Sequence, residues 1–261
     1  MMDYRDELAF AKTLALKAGE IINKNFLHSK ITTKSNLTPV TETDVSISKM
    51  VINEVKKHFP DHTVLDEELQ NTQVDSEYIW VCDPVDGTVP FSHHVPTSMF
   101  SLALCFNERP VVAVTYDPFI KRMFYTKKDD YSYMNDRKIS VNKEGFKKGD
   151  YIYGFPVRKK DFDLNRFVKL LSDKQINMSL IESIVYETML LAMGIVKATV
   201  TSAAHPWDRA AAIMIIENAN GKCTDENGDR MTAFGNPKYF ITSNGTVHEE
   251  ILNTLQKSLI K

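Results

Sequence analysis

Length, composition and charge set the first limits on the function of this chain. Its 261 residues are 43% hydrophobic, which is enough to bury a sizeable core in one large domain or in two coupled halves. The 32 basic and 34 acidic residues give a net charge of −2, without the positive field that nucleic-acid binding requires. We therefore expect a globular protein without a nucleic-acid partner.

The cysteines and the N-terminal residues indicate the cellular compartment of the protein. The three cysteines, Cys82, Cys105 and Cys223, are far apart in apolar surroundings, which is typical of reduced core thiols and not of a disulfide framework or a zinc site. Residues 1–26 carry charges throughout and lack the apolar block of a signal peptide or a membrane span. We expect a cytoplasmic protein without a membrane partner.

Two helices followed by a β-rich region are predicted in the first half of the chain. Residues 4–26 repeat apolar side chains at helical spacing, and residues 44–59 do so again until Pro60 stops the pattern. Residues 63–65 are β-prone and run into a short acidic stretch. Antiparallel strands are then predicted at residues 100–106, 111–116 and 122–126.

The second half follows a lysine-rich connection at residues 143–150 and has a different pattern. Short strands alternate with helical segments at residues 151–155, 164–171, 178–181, 186–193 and 198–201, which indicates α/β layering. A clear helix pattern covers residues 206–220, with Pro206 in its first turn. We predict an N-terminal α+β half, residues 1–145, and a C-terminal α/β half, residues 146–261.

The most informative segment is the run Trp-Val-Cys-Asp-Pro-Val-Asp-Gly-Thr that ends at Thr88. Asp83 and Asp86 stand three residues apart across a proline-initiated turn, so both carboxylates and the Val85 carbonyl can converge on one point, as Mg²⁺ requires. Gly87 allows close approach of the backbone, and its N–H group and that of Thr88 can cradle an anion. A cation beside such a cradle indicates a phosphate site.

Three further carboxylates stand at the ends of predicted elements. Asp44 begins the second helix, Glu67 follows the short strand, and Asp208 lies in the first turn of the late helix. A carboxylate at a helix N-terminus also serves simply as a cap, so capping and a role in a site are equal alternatives for Asp44 and Asp208. For Asp83 and Asp86 the alternative is an Asx-type turn.

In this order the motifs resemble the inositol monophosphatase superfamily of Mg²⁺-dependent, lithium-sensitive phosphatases. The signature W-x-x-D-P-[ILV]-D-G-T is found from Trp80 to Thr88, and the second signature, a W-D before a helix of small residues, ends at Asp208. A Thr-x-Thr-Asp segment ending at Asp44 and a Glu-Glu pair at Glu67 precede them. The resemblance covers nearly the whole chain. It implies an α/β (α+β) fold, the layered αβαβα sandwich of the inositol monophosphatase and fructose-1,6-bisphosphatase type, and a homodimer.

The resemblance also implies site roles and a reaction, the hydrolysis of a small polyol or sugar-like phosphate by a metal-activated water. It assigns two or three Mg²⁺ ions to five ligands: Glu67, Asp83, the Val85 carbonyl, Asp86 and Asp208. The catalytic residues are Asp44 and Thr88, which orient the attacking water, together with Glu67. The groups that bind phosphate or substrate are Gly87, Thr88, Thr201 and Asp208.

Two departures from the family pattern lie near the metal motifs. Asp66 stands where family members commonly have glycine before the Glu-Glu pair; we expect its side chain to point to solvent, the alternative being an extra metal contact. His93 matches a histidine of the family, whereas His94 is an addition. Without a matching Cys or His partner, we expect the two histidines to be solvated or hydrogen-bonded and not to form a transition-metal site.

Other departures affect the substrate. Thr201 replaces a glutamate of inositol-type members, and a threonine cannot make the bidentate, charge-assisted contact of a carboxylate to vicinal hydroxyls. Residues 182–186 replace a Gly-Ser-Ala-Ala-like segment. The alternative substrates are therefore histidinol phosphate, fructose 1,6-bisphosphate and 3′-phosphoadenosine 5′-phosphate. A catalytically silent phosphate-ester binding protein is the alternative that is not an enzyme.

Overall fold

The computed structural model describes residues 3–33, 39–69, 76–154, 161–202 and 204–260. The helices of this part of the chain are α1 (Arg5–Asn25), α2 (Glu42–His58), α3 (Thr88–Ser92), α4 (Leu164–Ser172), α5 (Ile184–Ala192), α6 (Pro206–Asn218) and α7 (His248–Ser258). The strands are β1 (Ile31–Thr33), β2 (Pro39–Thr41), β3 (Thr63–Asp66), β4 (Tyr78–Asp86), β5 (Met99–Phe106), β6 (Arg109–Asp117), β7 (Arg122–Lys127), β8 (Tyr133–Met134), β9 (Arg137–Lys138), β10 (Tyr151–Tyr153), β11 (Asn177–Ser179), β12 (Ala198–Ser202), β13 (Lys222–Thr224) and β14 (Tyr239–Ser243).

The first large sheet contains seven strands in the order β3-β4-β5-β6-β7-β8-β9. Only its first pair, β3 and β4, is parallel, and the remaining neighbours are antiparallel. Strands β5 and β6 are joined by Asn107 and Glu108, both of which have positive φ, as a tight two-residue hairpin turn requires. The antiparallel strands predicted between residues 100 and 126 are confirmed.

The second large sheet contains five strands in the order β11-β10-β12-β14-β13. Helices α5 and α6 lie between the two sheets, because their apolar residues share one core with side chains of both. That core includes Val81 of β4, Ala211 and Ile215 of α6, and Phe240 of β14. A helix that is apolar all round needs such a buried position; residues 208–216 of α6 are all buried.

The remaining helices cover the outer faces of the two sheets. Helices α1 and α2 pack on the first sheet through a core that includes Leu14, Ile47 and Trp80, while α4 and α7 pack on the second sheet through residues such as Phe167 and Leu255. The layers are thus αβαβα, and the predicted fold class is confirmed. The proposed division at residues 145/146 lies between the last strand of the first sheet and the first strand of the second, and stays a prediction.

Two expectations concerning composition can be compared with the structure. The three cysteines are all free and buried, as expected of core thiols. Among the described residues, no helix has the length and apolar character needed to span a membrane.

Candidate active site

The site begins at an irregularity in β4. The strand does not end in a turn at Pro84, as predicted, but continues to Asp86 with one extra residue between the pairs Asp83–Ser101 and Asp86–Met99. Successive side chains of a strand alternate between its faces, so residues three apart normally point in opposite directions. A bulge inserts one residue and corrects this offset. It therefore allows Asp83 and Asp86 to serve the same site.

Asp83, Asp86 and Asp208 form a compact carboxylate cluster. Asp83 and Asp86 come from β4, whereas Asp208 comes from the first turn of α6. One oxygen of each lies within 4.8 Å of the others. The three residues are 2%, 4% and 8% exposed, respectively. Buried carboxylates at this separation repel one another unless they are protonated or share a cation.

The pKa values show the physical cost of this arrangement. Burial, followed by the charge of Glu67, raises the pKa of Asp83 well above its ordinary value. Burial and the charge of Asp86 do the same for Asp208, and burial raises the pKa of Asp86. The charge of the adjacent Arg209 lowers the pKa of Asp208, but less than burial and the charge of Asp86 raise it. The Arg209 guanidinium donates its hydrogen bonds to backbone carbonyls, including that of Gly235 at 2.7 Å. Oxygen ligands of this kind suit a divalent cation such as Mg²⁺.

The first turn of α5 holds the Asp86 carboxylate. Its Oδ1 accepts the N–H group of Ile184 at 3.1 Å and its Oδ2 accepts that of Val185 at 3.0 Å. The hydroxyl of Ser183, the N-cap of α5, also donates to Oδ2 and accepts the Tyr186 N–H group at 3.2 Å. Sequence reasoning assigned this segment only to the substrate wall. A serine directly before a helical pattern, here Ser183 before α5, is the signal that could have indicated a cap.

Asp44 and Thr88 lie together, as the resemblance implies. The Thr88 Oγ1 atom is 3.4 Å from Asp44 Oδ1 and 3.2 Å from the Val85 carbonyl oxygen. Asp44 Oδ2 accepts the Thr41 N–H group at 2.9 Å. Burial raises the pKa of Asp44 to about 6. One oxygen of Asp44 thus caps α2 while the other contacts Thr88.

Asp208 combines the same two functions at α6. Its Oδ2 accepts the His205 N–H group at 2.6 Å, so it caps the helix in which it lies, and it is also a member of the carboxylate cluster. The sequence left capping and site membership open as alternatives for Asp44 and Asp208. In the structure both side chains cap a helix, while Asp44 also contacts Thr88 and Asp208 also lies in the carboxylate cluster.

Glu67 and Gly87 also border the cluster. The charge of Glu67 contributes to the raised pKa of Asp44, Asp83, Asp86 and Asp208, which places Glu67 near all four. Gly87 has a φ of +84°, and a Cβ atom there would lie 2.9 Å from the Cβ of Ser183. Gly87 is therefore needed both for its backbone conformation and for the close approach of the segment before α5.

The remaining residues that the sequence singled out have the following positions. Thr201 is buried in β12 opposite Phe240, and among the described residues no hydrogen bond joins its hydroxyl to the cluster. His93 and His94 are exposed, with His93 Nδ1 2.9 Å from the Val89 carbonyl oxygen. The prediction that Asp66 points to solvent is wrong, because its side chain is fully buried at the end of β3, where the strand pairs with β4.

Comparison with known proteins agrees with this geometry. The model of the inositol monophosphatase family matches residues 3–259. A curated protein of Aquifex aeolicus, described as a fructose-1,6-bisphosphatase/inositol-1-monophosphatase, is 27% identical over 267 residues, which cover 98% of each chain.

Solved structures of similar fold also include inositol monophosphatases. A Thermotoga maritima IMPase is 27% identical, with a TM-score of 0.87 over 97% of this chain and 98% of that one. An IMPase/NADP phosphatase complexed with Mg²⁺ and phosphate has a TM-score of 0.83 over 96% of this chain and 94% of that one; at 24% identity it shows the likeness of the fold alone. Because the family model spans nearly all of its residues, the chain belongs to the inositol monophosphatase family.

Proposed function

We propose that the protein is a Mg²⁺-dependent phosphomonoesterase that hydrolyses a small polyol or sugar-like phosphate such as inositol 1-phosphate. The observation that carries the proposal is the convergence of the Asp83, Asp86 and Asp208 carboxylates within 4.8 Å, beside the contact between Thr88 and Asp44. The first group suits a cation and the second can hold a water molecule, so both components of phosphate-ester hydrolysis are adjacent.

The ligands would be supplied by two strand ends and one helix: Glu67 after β3, Asp83, Asp86 and the Val85 carbonyl of β4, and Asp208 of α6. We propose two or three Mg²⁺ ions at this site. When bound, such ions neutralise the phosphate, polarise it and lower the pKa of a coordinated water. The raised pKa values of the carboxylates support the assignment, since a bound cation offsets both causes of the shift, burial first and mutual repulsion second.

The residues of the chain then have separate tasks. The Asp44 carboxylate accepts a hydrogen bond from the Thr88 hydroxyl, and a free lone pair of that hydroxyl orients the attacking water. Glu67 assists from the end of the neighbouring parallel strand β3. The N–H groups of Gly87 and Thr88 hold phosphate oxygens, as backbone donors in a tight turn do. Buried surroundings strengthen each of these interactions because water is excluded.

The alcohol part of the substrate is bound, in this proposal, by Asp208 and by the wall that includes Thr201. The Aquifex aeolicus relative carries the names of two activities, on fructose 1,6-bisphosphate and on inositol 1-phosphate. Histidinol phosphate and 3′-phosphoadenosine 5′-phosphate complete the set of alternatives, because Thr201 lacks the carboxylate that inositol-type members use. A homodimer and a cytoplasmic location remain predictions.

The test is phosphate release from these four esters with and without Mg²⁺, and with added lithium. We expect hydrolysis that a chelator abolishes and that Asp83→Asn lowers by at least about a hundredfold, because removing one charge from a metal centre impairs both binding and chemistry. Asp117→Asn is the matched control, since Asp117 is also buried at a strand end but lies outside the carboxylate cluster.

Two results would contradict the proposal. Unchanged hydrolysis by Asp83→Asn would exclude the assigned metal site. Tight binding of a phosphate ester in Mg²⁺ without turnover would favour the catalytically silent binding protein. Size-exclusion chromatography with light scattering tests the predicted dimer separately.

A further inference from the structure

Asp66 is one of the buried charged residues that the proposed reaction does not use. It is the last residue of β3 and is 0% exposed. Its Oδ1 accepts the N–H groups of Glu68 at 2.9 Å and of Leu69 at 3.0 Å. Burying a carboxylate is costly unless its hydrogen bonds compensate. A glycine at this position would avoid that cost, so the function of the carboxylate has to be sought in the turn that it holds.

That turn carries Glu67. On one side of Glu67, its own N–H group donates to the Cys82 carbonyl at 3.2 Å, and on the other side the N–H group of Glu68 donates to Asp66. Both peptide groups that flank Glu67 are therefore fixed, one by β4 and one by Asp66. Fixing both groups restrains the φ and ψ angles of Glu67 and hence the direction of its side chain.

The same motif occurs a second time in the chain, away from the carboxylate cluster. Asp117 is the buried last residue of β6, and its Oδ1 accepts the N–H groups of Phe119 at 3.0 Å and Ile120 at 3.3 Å. Its Oδ2, however, pairs with Arg122 at 2.9 Å, whereas the Asp66 carboxylate lies beside the thiol of Cys82 and, among the described residues, not beside a cation. Asp117 thus serves as a control, because it holds an equivalent turn that lies away from the carboxylate cluster.

We propose that Asp66 is a positioning residue of the metal centre, which holds the turn at residues 66–69 so that the Glu67 carboxylate faces the cluster. The inference rests on the proposed function, since it takes Glu67 as a ligand. Residues that orient a ligand typically change metal affinity by about 10- to 100-fold when they are removed. Asp66 acts through its Oδ1 acceptor and not through its charge.

The experiment is calorimetric titration of the metal-free, full-length protein with Mg²⁺. We expect Asp66→Ala to weaken binding by about 10- to 100-fold, while kcat recovers at saturating Mg²⁺. Asp66→Asn keeps the acceptor and removes the charge, so its affinity should stay closer to that of the wild type than to that of Asp66→Ala. Asp117→Ala removes an equivalent turn and should leave the Mg²⁺ affinity unchanged.

The outcomes separate the inference from the proposed function. If Asp66→Ala folds and binds Mg²⁺ like the wild type, while Asp83→Asn loses binding, the inference is overturned and the metal site stands. If Asp66→Asn is as weak as Asp66→Ala, the charge and not the turn is responsible, and the inference is again overturned. If Asp83→Asn binds Mg²⁺ normally, the proposed metal site itself is wrong. Should Asp66→Ala fail to fold, Asp66→Ser provides a shorter acceptor for the same titration.

Discussion

The carboxylates of the site are oriented by the elements on which they lie. Asp44 caps α2 with Oδ2 and contacts Thr88 with Oδ1, and Asp208 caps α6 with one oxygen. A cap restricts the side chain to few rotamers, because the N–H group that it accepts has a fixed direction. The second oxygen is then directed before any ligand arrives, which is the arrangement that a preorganised site needs.

Gly87 allows a specific test of how closely the site is packed. Gly87→Ala places a residue with a side chain at a φ of +84° and brings its Cβ to 2.9 Å from that of Ser183. We expect a loss of about 1 kcal/mol from the backbone and a further loss of about 1–3 kcal/mol from the clash. Chemical denaturation of the wild type and of Gly87→Ala measures the total loss in the free energy of unfolding.

Gly245→Ala is the control for this substitution. Gly245 has nearly the same φ, +83°, but in the described part of the chain, its two chain neighbours aside, no heavy atom lies within 4 Å of the position that a Cβ atom would take. It should therefore lose only the backbone contribution of about 1 kcal/mol. Equal losses in the free energy of unfolding of the two variants would mean that Ser183 moves away freely and that the segment around Gly87 is loosely packed.

Among the residues of the candidate site, the sequence indicated which carboxylates lie together better than it indicated what surrounds them. Asp83, Asp86, Gly87 and Thr88 are local in the chain, and their spacing alone indicates a turn of oxygen ligands and donors. The burial of Asp66 depends on the parallel pairing of β3 with β4, a contact between segments that are distant in sequence. No pattern around Asp66 indicates which side of the strand is covered.

Helix α5 links the Asp86 carboxylate to the segment that borders Gly87. Ser183→Ala removes both the N-cap of α5 and the hydroxyl that donates to Asp86. We expect a loss of about 1 kcal/mol in the free energy of unfolding and a Mg²⁺ affinity about tenfold weaker, since Asp86 is then less firmly oriented. Denaturation and calorimetric titration measure the two effects separately.

Asp163→Ala provides the comparison for the cap alone. Asp163 caps α4, where it accepts the Arg166 N–H group at 2.9 Å, and α4 lies on the outer face of the second sheet. The variant should lose a similar amount of stability and keep the Mg²⁺ affinity of the wild type. An Mg²⁺ affinity of Ser183→Ala equal to that of the wild type would show that the hydroxyl does not orient Asp86 for the metal. A tighter affinity would show that α5 competes with the metal for Asp86.

The elements were predictable where their hydrophobic pattern was long and regular. The helices α1 and α2 and most of α6 follow the predicted ranges closely, because an apolar face repeated over several turns has few other interpretations. The end of β4 was not predicted correctly, since Pro84 indicates a turn by itself but occupies a bulge in the paired strand. No elements were predicted after residue 221, where β13, β14 and α7 lie.

For the whole molecule, the buried carboxylates predict how stability depends on pH. The pKa of Asp44 is raised to about 6, and those of Asp83, Asp86 and Asp208 are also raised. Above pH 4 the folded state therefore binds more protons than the unfolded state, so the free energy of unfolding falls as pH rises through the folded-state pKa values. A shift of two units corresponds to about 3 kcal/mol for Asp44 alone.

His248 has the opposite dependence over part of this range. Burial lowers its pKa to about 4, so it stabilises the fold increasingly from pH 4 to about 6.5. The fall in the free energy of unfolding that the carboxylates cause should therefore be clearest between pH 6.5 and 8. Thermal melts in the presence of a chelator measure it. With Mg²⁺ present it should disappear, because the metal binds the ionised carboxylates. A metal-free protein whose stability rises over this interval would contradict the raised pKa values.

The position of α6 between the two sheets limits where this architecture can vary. Residues 208–216 are covered on every side, so an enlarged side chain there meets one sheet or the other and a smaller one leaves a void. Glu182, by contrast, is exposed beside the Gly87 turn and can be exchanged without repacking the interior. Substitutions at such exposed positions should therefore change the border of the site at a smaller cost in stability than substitutions in α6.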